Sequence, residues 1–119
     1  MAQEEGFVNE NLEAVLTVKL SNGSQIECAI DTGFNGSFLF PRKLVEDNSM
    51  RFLGKEEVTM VEQNTTFIET ALAHIHWLGE AVSIQILVSE NEESLIRTQM
   101  LIDTKLEVDY KNLTVKITK

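Results

Sequence analysis

Apolar and polar residues alternate with a period of two along most of this chain. In "AVLTVKL" (14–20), Leu16, Val18 and Leu20 share one face, with Thr17 and Lys19 on the other. "SQIECAI" (24–30) repeats the pattern with Ile26, Cys28 and Ile30. Between the two lies Asn22-Gly23, a pair that tolerates the positive φ of a tight two-residue turn. The pattern predicts a β-hairpin over 14–30 whose second strand ends at Asp31.

The rest of the chain reads in the same way. After Pro41, "RKLVEDN" has room for one or two helical turns. The segment 56–78, "EEVTMVEQNTTFIETALAHIHWL", reads as two strands around a polar tip near Glu62–Thr65. "EAVSIQILVS" (80–89) is a strand with Val82, Ile84 and Ile86 on one face, and "SENEES" (89–94) is a loop. "ESLIRTQMLID" (93–103) fits a short helix after an apolar pair. "LEVDY" and "LTVKI" (106–110 and 113–117) form a closing hairpin around Lys111-Asn112. No repeat of 20–50 residues is visible. Seven or more short strands with little helix predict an all-β domain, closed or sandwich-like.

Composition narrows the partners. A chain of 119 residues is expected to be a single domain, 1–119, with residues 1–11 as a flexible or dimer-contacting arm. With 43% hydrophobic and 24% charged residues it is ordinary for a globular protein. A net charge of −9 disfavours nucleic acid and anionic membrane, both of which reward Lys and Arg. No apolar run is long enough to span a bilayer. The start, "MAQEEGFVNE", lacks the basic and apolar regions of a signal peptide. Cys28 is the single cysteine and can form no internal disulfide, in keeping with a reducing, cytoplasmic setting. The sequons at Asn22, Asn35, Asn64 and Asn112 then read as turn chemistry rather than glycosylation sites.

The chemistry concentrates in "CAIDTGFNGSFLFP" (28–41), where a carboxylate is driven between two apolar runs. Asp, Thr and Gly all suit turns, so Asp31-Thr32-Gly33 alone is weak evidence. Burying a lone carboxylate at a strand end is costly. A second carboxylate sharing its proton makes the placement useful, since two such acids do not both ionise easily and titrate as a unit. One then serves as general base on a water while the other donates to the substrate carbonyl.

"AIDTGFNGSFLFP" resembles the active-site segment of the retropepsin-like aspartic proteases, the single-domain class related to retroviral proteases. It is most similar to the small prokaryotic members, in which Asp-Thr-Gly-Phe is followed by a small or polar residue, Gly and an apolar strand leading to Pro. "SLIRTQMLIDTKLEVDYKNLTVKI" (94–117) resembles the closing segment of that family, and a flap hairpin at 58–68 lies between them in the right order. The resemblance covers residues 12 to 118 and implies a retropepsin-like acid-protease fold, with a flap hairpin and one short C-terminal helix. It implies an aspartic endopeptidase acting on peptides or proteins, with Asp31, Thr32 and Gly33 as the catalytic loop. The chain has one Asp-Thr-Gly, so the pair of acids requires a homodimer with one Asp31 from each subunit. Phe34 and the flap tip, Met60, Val61, Glu62, Gln63, Asn64 and Thr65, would meet an extended substrate bound as an added strand. No metal or other cofactor is implied.

Two positions depart from the family pattern. Arg97 follows Leu95-Ile96 where the family usually has Gly, and the tip "VEQNTT" lacks the Gly often found there. Pointed at the acids, Arg97 would favour ionisation of both and spoil the shared proton. The alternative reading is therefore a catalytically silent domain of the same fold, a dimerisation or peptide-binding module. A third reading is an unrelated β-sandwich binding module.

Other candidates carry less. His74 and His76 share a strand face, but no third ligand has metal-site spacing. Cys28 sits with Ile26 and Ile30, which suggests a buried, inert thiol. Asp103, Glu107 and Asp109 read as solvated charges near the closing hairpin. An aspartyl-phosphate enzyme would need the alternating helices of a parallel α/β fold, which this pattern lacks.

Overall fold

The structure is a computed structural model, and it describes residues 2–59 and 64–119. The strands among them are β1 (Gln3–Val8), β2 (Ala14–Leu20), β3 (Gln25–Ile30), β4 (Phe38–Pro41), β5 (Arg51–Thr59), β6 (Thr65–Trp77), β7 (Glu80–Ser89), β8 (Leu95–Ile96), β9 (Lys105–Asp109) and β10 (Thr114–Thr118). A short helix α1 (Arg42–Asp47) follows β4, and a 3₁₀ turn (Thr98–Leu101) follows β8. The all-β expectation holds.

The predicted hairpin is β2 and β3, with Val18 opposite Ile26 and Leu16 opposite Cys28. Its turn closes through Leu20 N–H to Ser24 O at 2.8 Å and Gly23 N–H to Leu20 O at 3.0 Å. β5 and β6 form a long hairpin at one edge of the sheet; residues 60–63, between them, lie outside the described residues. β5 starts at Arg51, five residues before the sequence pattern suggests, because its early residues are exposed and carry no apolar alternation.

All ten strands join one sheet in the order β5-β6-β7-β4-β8-β3-β2-β1-β10-β9. A further pairing of β6 with β2 at Lys19–His76 and Leu20–Ile75 folds the sheet back on itself. The fold-back encloses the core: Leu16, Val18, Cys28, Phe38, Phe40, Ile75, Ile86, Ile96 and Ile117 are essentially inaccessible to water. Phe38 stacks obliquely on Phe40 at 5.2 Å and meets Trp77 edge-on at 6.1 Å, the favoured aromatic geometries. Trp77 satisfies its buried indole N–H with Met100 O at 3.2 Å.

Residues 3–8, part of the expected arm, form β1, paired to β2 on one side and β10 on the other. Gly6 lets the backbones close in: a Cβ there would lie 1.9 Å from Val15 O.

Candidate active site

The site is built around β8, which is two residues long. It runs parallel to β3, with Ile30 beside Ile96, and antiparallel to β4, with Phe38 beside Ile96. β3 and β4 are the two limbs of the loop 31–37, so β8 fills the gap between them and the loop must arch over its end. Four backbone bonds fix the arch. Asp31 N–H donates to Ile96 O at 2.8 Å and Arg97 N–H to Ser37 O at 2.8 Å. Gln99 N–H donates to Gly36 O at 3.0 Å and Thr98 N–H to Phe34 O at 3.4 Å. The Thr98 hydroxyl adds a bond to Phe34 O at 3.0 Å, and Ser37 anchors the far limb through its hydroxyl to Gln85 O at 2.6 Å.

Asp31 leaves the sheet at this point with its side chain a quarter exposed. Its Oδ1 accepts the Gly33 N–H at 3.0 Å, an Asx-type turn that orients the carboxylate. A Cβ on Gly33 would lie 3.3 Å from that oxygen, a tight approach, so the absence of a side chain keeps the turn closed. Thr32 is exposed, and among the described residues its hydroxyl makes no hydrogen bond within the subunit. Phe34 is half exposed beside it.

The loop forms one wall of a cleft of about 680 Å³. The opposite wall is Glu56–Thr59 of β5, and Ile84, Gln85 and Leu87 of β7 lie between. The cleft thus lies between the Asp-Thr-Gly loop and the β5–β6 hairpin. Asn64 and Thr65, where β6 begins, are exposed; Met60, Val61, Glu62 and Gln63, expected to touch substrate, lie outside the described residues.

Arg97 enters the same cleft. Its Nε is 3.8 Å from Asp31 Oδ2, an ion-pair separation beyond hydrogen-bonding reach. The guanidinium lies over the Phe34 ring, 5.0 Å from its centre. The side chain is 13% exposed, and its Nε is buried with no hydrogen-bond partner among the described residues. Its adjacency to Asp31 was not readable from the sequence, because it depends on the parallel pairing of β3 with β8.

The other candidates fall elsewhere. His74 and His76 are both exposed, and His74 Nδ1 pairs with the Ser83 hydroxyl at 2.7 Å. Among the described residues no group of three His, Cys, Asp or Glu side chains is placed to hold a metal ion. Cys28 is fully buried, and desolvation pushes its thiol up to about 12. Asp109 accepts the Lys111 and Asn112 backbone N–H groups and the Asn112 amide, which hold its carboxyl below the usual range and cap the last hairpin. Among the described residues no helix is long and apolar enough to cross a membrane.

No protein-family model matches the chain, and no curated protein matches it. Solved structures do. A retropepsin-like aspartic protease from Rickettsia conorii superposes with a TM-score of 0.63 at 13% identity, over 97% of this chain and 89% of the other. A foamy viral protease-reverse transcriptase, solved in complex with an RNA/DNA hybrid, superposes with a TM-score of 0.54 at 15% identity. That match covers 73% of this chain but 11% of the viral one. The chain has the retropepsin-like acid-protease fold.

Proposed function

We propose that the chain is an aspartic endopeptidase that works as a homodimer, with one Asp31 carboxylate from each subunit. The observation that carries this reading is the intact Asp31-Thr32-Gly33 loop, with its carboxylate oriented by Gly33 N–H, beside a cleft faced by a β-hairpin. One Asp31 takes a proton from water as the water attacks the scissile carbonyl; the second acid faces the carbonyl oxygen. Thr32 and Gly33 shape the loop around the dyad. Substrate lies extended between the loop and the hairpin, pairing through its main chain, with Phe34 and the tip residues 60–65 against its side chains. The single Asp-Thr-Gly makes each subunit an incomplete site, which is why the reading requires a dimer.

A second reading is favoured by Arg97. Its side chain enters the cleft beside Asp31, with Nε 3.8 Å from the carboxylate, where the sequence pattern of the family usually has Gly. On that reading the domain keeps the fold and binds peptide or a second copy of itself without cleaving.

The deciding experiment is incubation with a diverse peptide mixture from mildly acidic to mildly alkaline pH, with products identified by mass. Cleavage by the parent and none by Asp31→Asn supports the endopeptidase. A folded dimer that cleaves nothing supports the silent domain.

A further inference from the structure

We infer that Arg42 is a positioning residue of this cleft: it ties the root of the β5–β6 hairpin to the body of the fold and so sets how far the hairpin stands from the Asp-Thr-Gly loop. The inference rests on the endopeptidase reading for its effect on substrate; the tie itself does not need substrate.

Three observations carry it. The first is where the hairpin leaves the sheet. β6 pairs with β7 from Trp77 back to Thr70 and no further, while β5 pairs with β6 alone. Beyond that level, residues 55–59 and 65–69 form a two-stranded ribbon. Among the described residues, no hydrogen bond joins 55–59 or 64–68 to anything outside the hairpin. A two-stranded ribbon has little stability of its own, so its direction is set at its root.

The second is the form of that root. The register of β5 against β6 shifts between Phe52 and Gly54, and Gly54 holds a φ of +120°, which residues with a side chain rarely adopt. The Thr70 hydroxyl donates to Gly54 O at 3.2 Å across the irregularity. A bulge of this kind bends the strand and re-aims the residues after it. Here those residues are Glu56–Thr59, the wall of the cleft opposite the Asp-Thr-Gly loop.

The third is the clamp. β4 runs beside β7 with Pro41 next to Ser89, so Arg42, the next residue, emerges beside Glu90 and reaches across the end of β7 to β6. Its Nη2 donates to Glu69 Oε1 at 2.7 Å and its Nη1 to Glu69 Oε2 at 3.4 Å. Its Nε donates to Glu90 Oε1 at 3.0 Å. The guanidinium also lies over the Phe52 ring, 5.8 Å from its centre. One cation thus holds both limbs of the hairpin, at Glu69 and at Phe52 just before the shift, against the loop that follows β7. Forked pairing of arginine with a carboxylate fixes geometry as well as charge.

The side chains of Arg42 and Glu69 are 31% and 36% exposed, and ion pairs this exposed add little to global stability. Their effect falls on the bend of the ribbon. Arg42 directly follows β4, the strand that leaves the Asp-Thr-Gly loop, so the two walls of the cleft are held to the same strand.

The test uses the full chain and a peptide selected from the mixture. Arg42→Gln is expected to raise KM about tenfold with kcat within about twofold, as when the binding-competent arrangement falls to about a tenth of the population. Arg42→Lys keeps the charge without the fork and is expected to fall between the two. Glu69→Gln removes the tie from the hairpin side, so its effect on KM and that of Arg42→Gln should not add in the double variant. A second readout needs no substrate. Trp77 is the single tryptophan and Cys28 is buried, so a thiol-reactive acceptor dye on Thr66→Cys reports the distance from core to ribbon by energy transfer. Arg42→Gln is expected to broaden that distance distribution while the melting temperature changes little. An unchanged distribution in a folded Arg42→Gln overturns the inference, and so does a loss of kcat at constant KM. Should that variant fail to fold, Glu69→Gln decides by the same two readouts. A parent that cleaves nothing overturns the endopeptidase reading, and the energy-transfer measurement then decides the role of Arg42 by itself.

Discussion

Arg97 stands beside Asp31 because the strands that deliver them run parallel and in register. Ile30 pairs with Ile96, so the next residue of each strand emerges at the same level, and the two charges end 3.8 Å apart. No local feature of either segment requires this. The pairing turns a substitution in the closing segment into a feature of the cleft, and it gives the Asp31 carboxylate a fixed cation as neighbour.

Asp31→Asn is expected to reduce peptide cleavage by at least about 10²-fold, since an amide cannot take the proton from water. The amide oxygen can still accept the Gly33 N–H, so the loop and the melting temperature should change little. Retained cleavage with a purified variant would remove Asp31 from the chemistry.

Gly6→Ala tests the seating of β1. A Cβ at this position meets Val15 O at 1.9 Å and the Leu16 side chain at 2.8 Å. The strand must move away from β2, at a cost of about 1–3 kcal/mol, as for other overpacked sites. Denaturant titration measures it, and an unchanged midpoint would mean that β1 is not held as described.

Glu4 is partly buried beside the turn between β6 and β7, and its carboxyl lies above its ordinary value because burial outweighs the Leu78 N–H that it accepts at 3.1 Å. Through that range the folded chain therefore holds more protons than the unfolded one, and this group's contribution to stability falls as pH rises through it. Glu4→Gln, which keeps an acceptor for Leu78 N–H, is expected to melt higher than the parent at neutral pH. The difference should close once the medium is acid enough to protonate Glu4 in both states. Melting curves at the two pH values check the sign; a variant that melts lower at neutral pH contradicts it.

Cys28 is fully buried with its thiol pushed up to about 12, so at neutral pH it is neither ionised nor accessible. A thiol reagent such as a maleimide is expected to leave the folded chain unlabelled and to label it fully in denaturant. Rapid labelling of the native protein would show that the β2–β3 hairpin opens readily.

Much of this architecture was legible along the chain. Period-two alternation marked β2, β3 and β7, Asn22-Gly23 marked their first turn, and the short helix after Pro41 was read from composition. Those signals are local: a strand with one face in the core must alternate, and a tight turn needs residues that accept its φ. β1 and the start of β5 left no such mark. β1 mixes Gln3, Glu5 and Gly6 with Phe7, and the early residues of β5 are exposed, so neither carries an apolar stripe.

The sequence by itself determined the strand faces, the first hairpin and the carboxylate at the end of β3. It also marked Arg97 as a residue out of pattern, without saying where it points. The tertiary structure alone decided that β8 lies between β3 and β4, that the loop 31–37 closes over Arg97, and that the β5–β6 hairpin faces that loop across a cleft. The physical reason is the range of the forces involved. Alternation and turn chemistry act over a few neighbouring residues. The pairing of Ile30 with Ile96 joins positions 66 apart, and it arises only when the whole sheet closes around a common core.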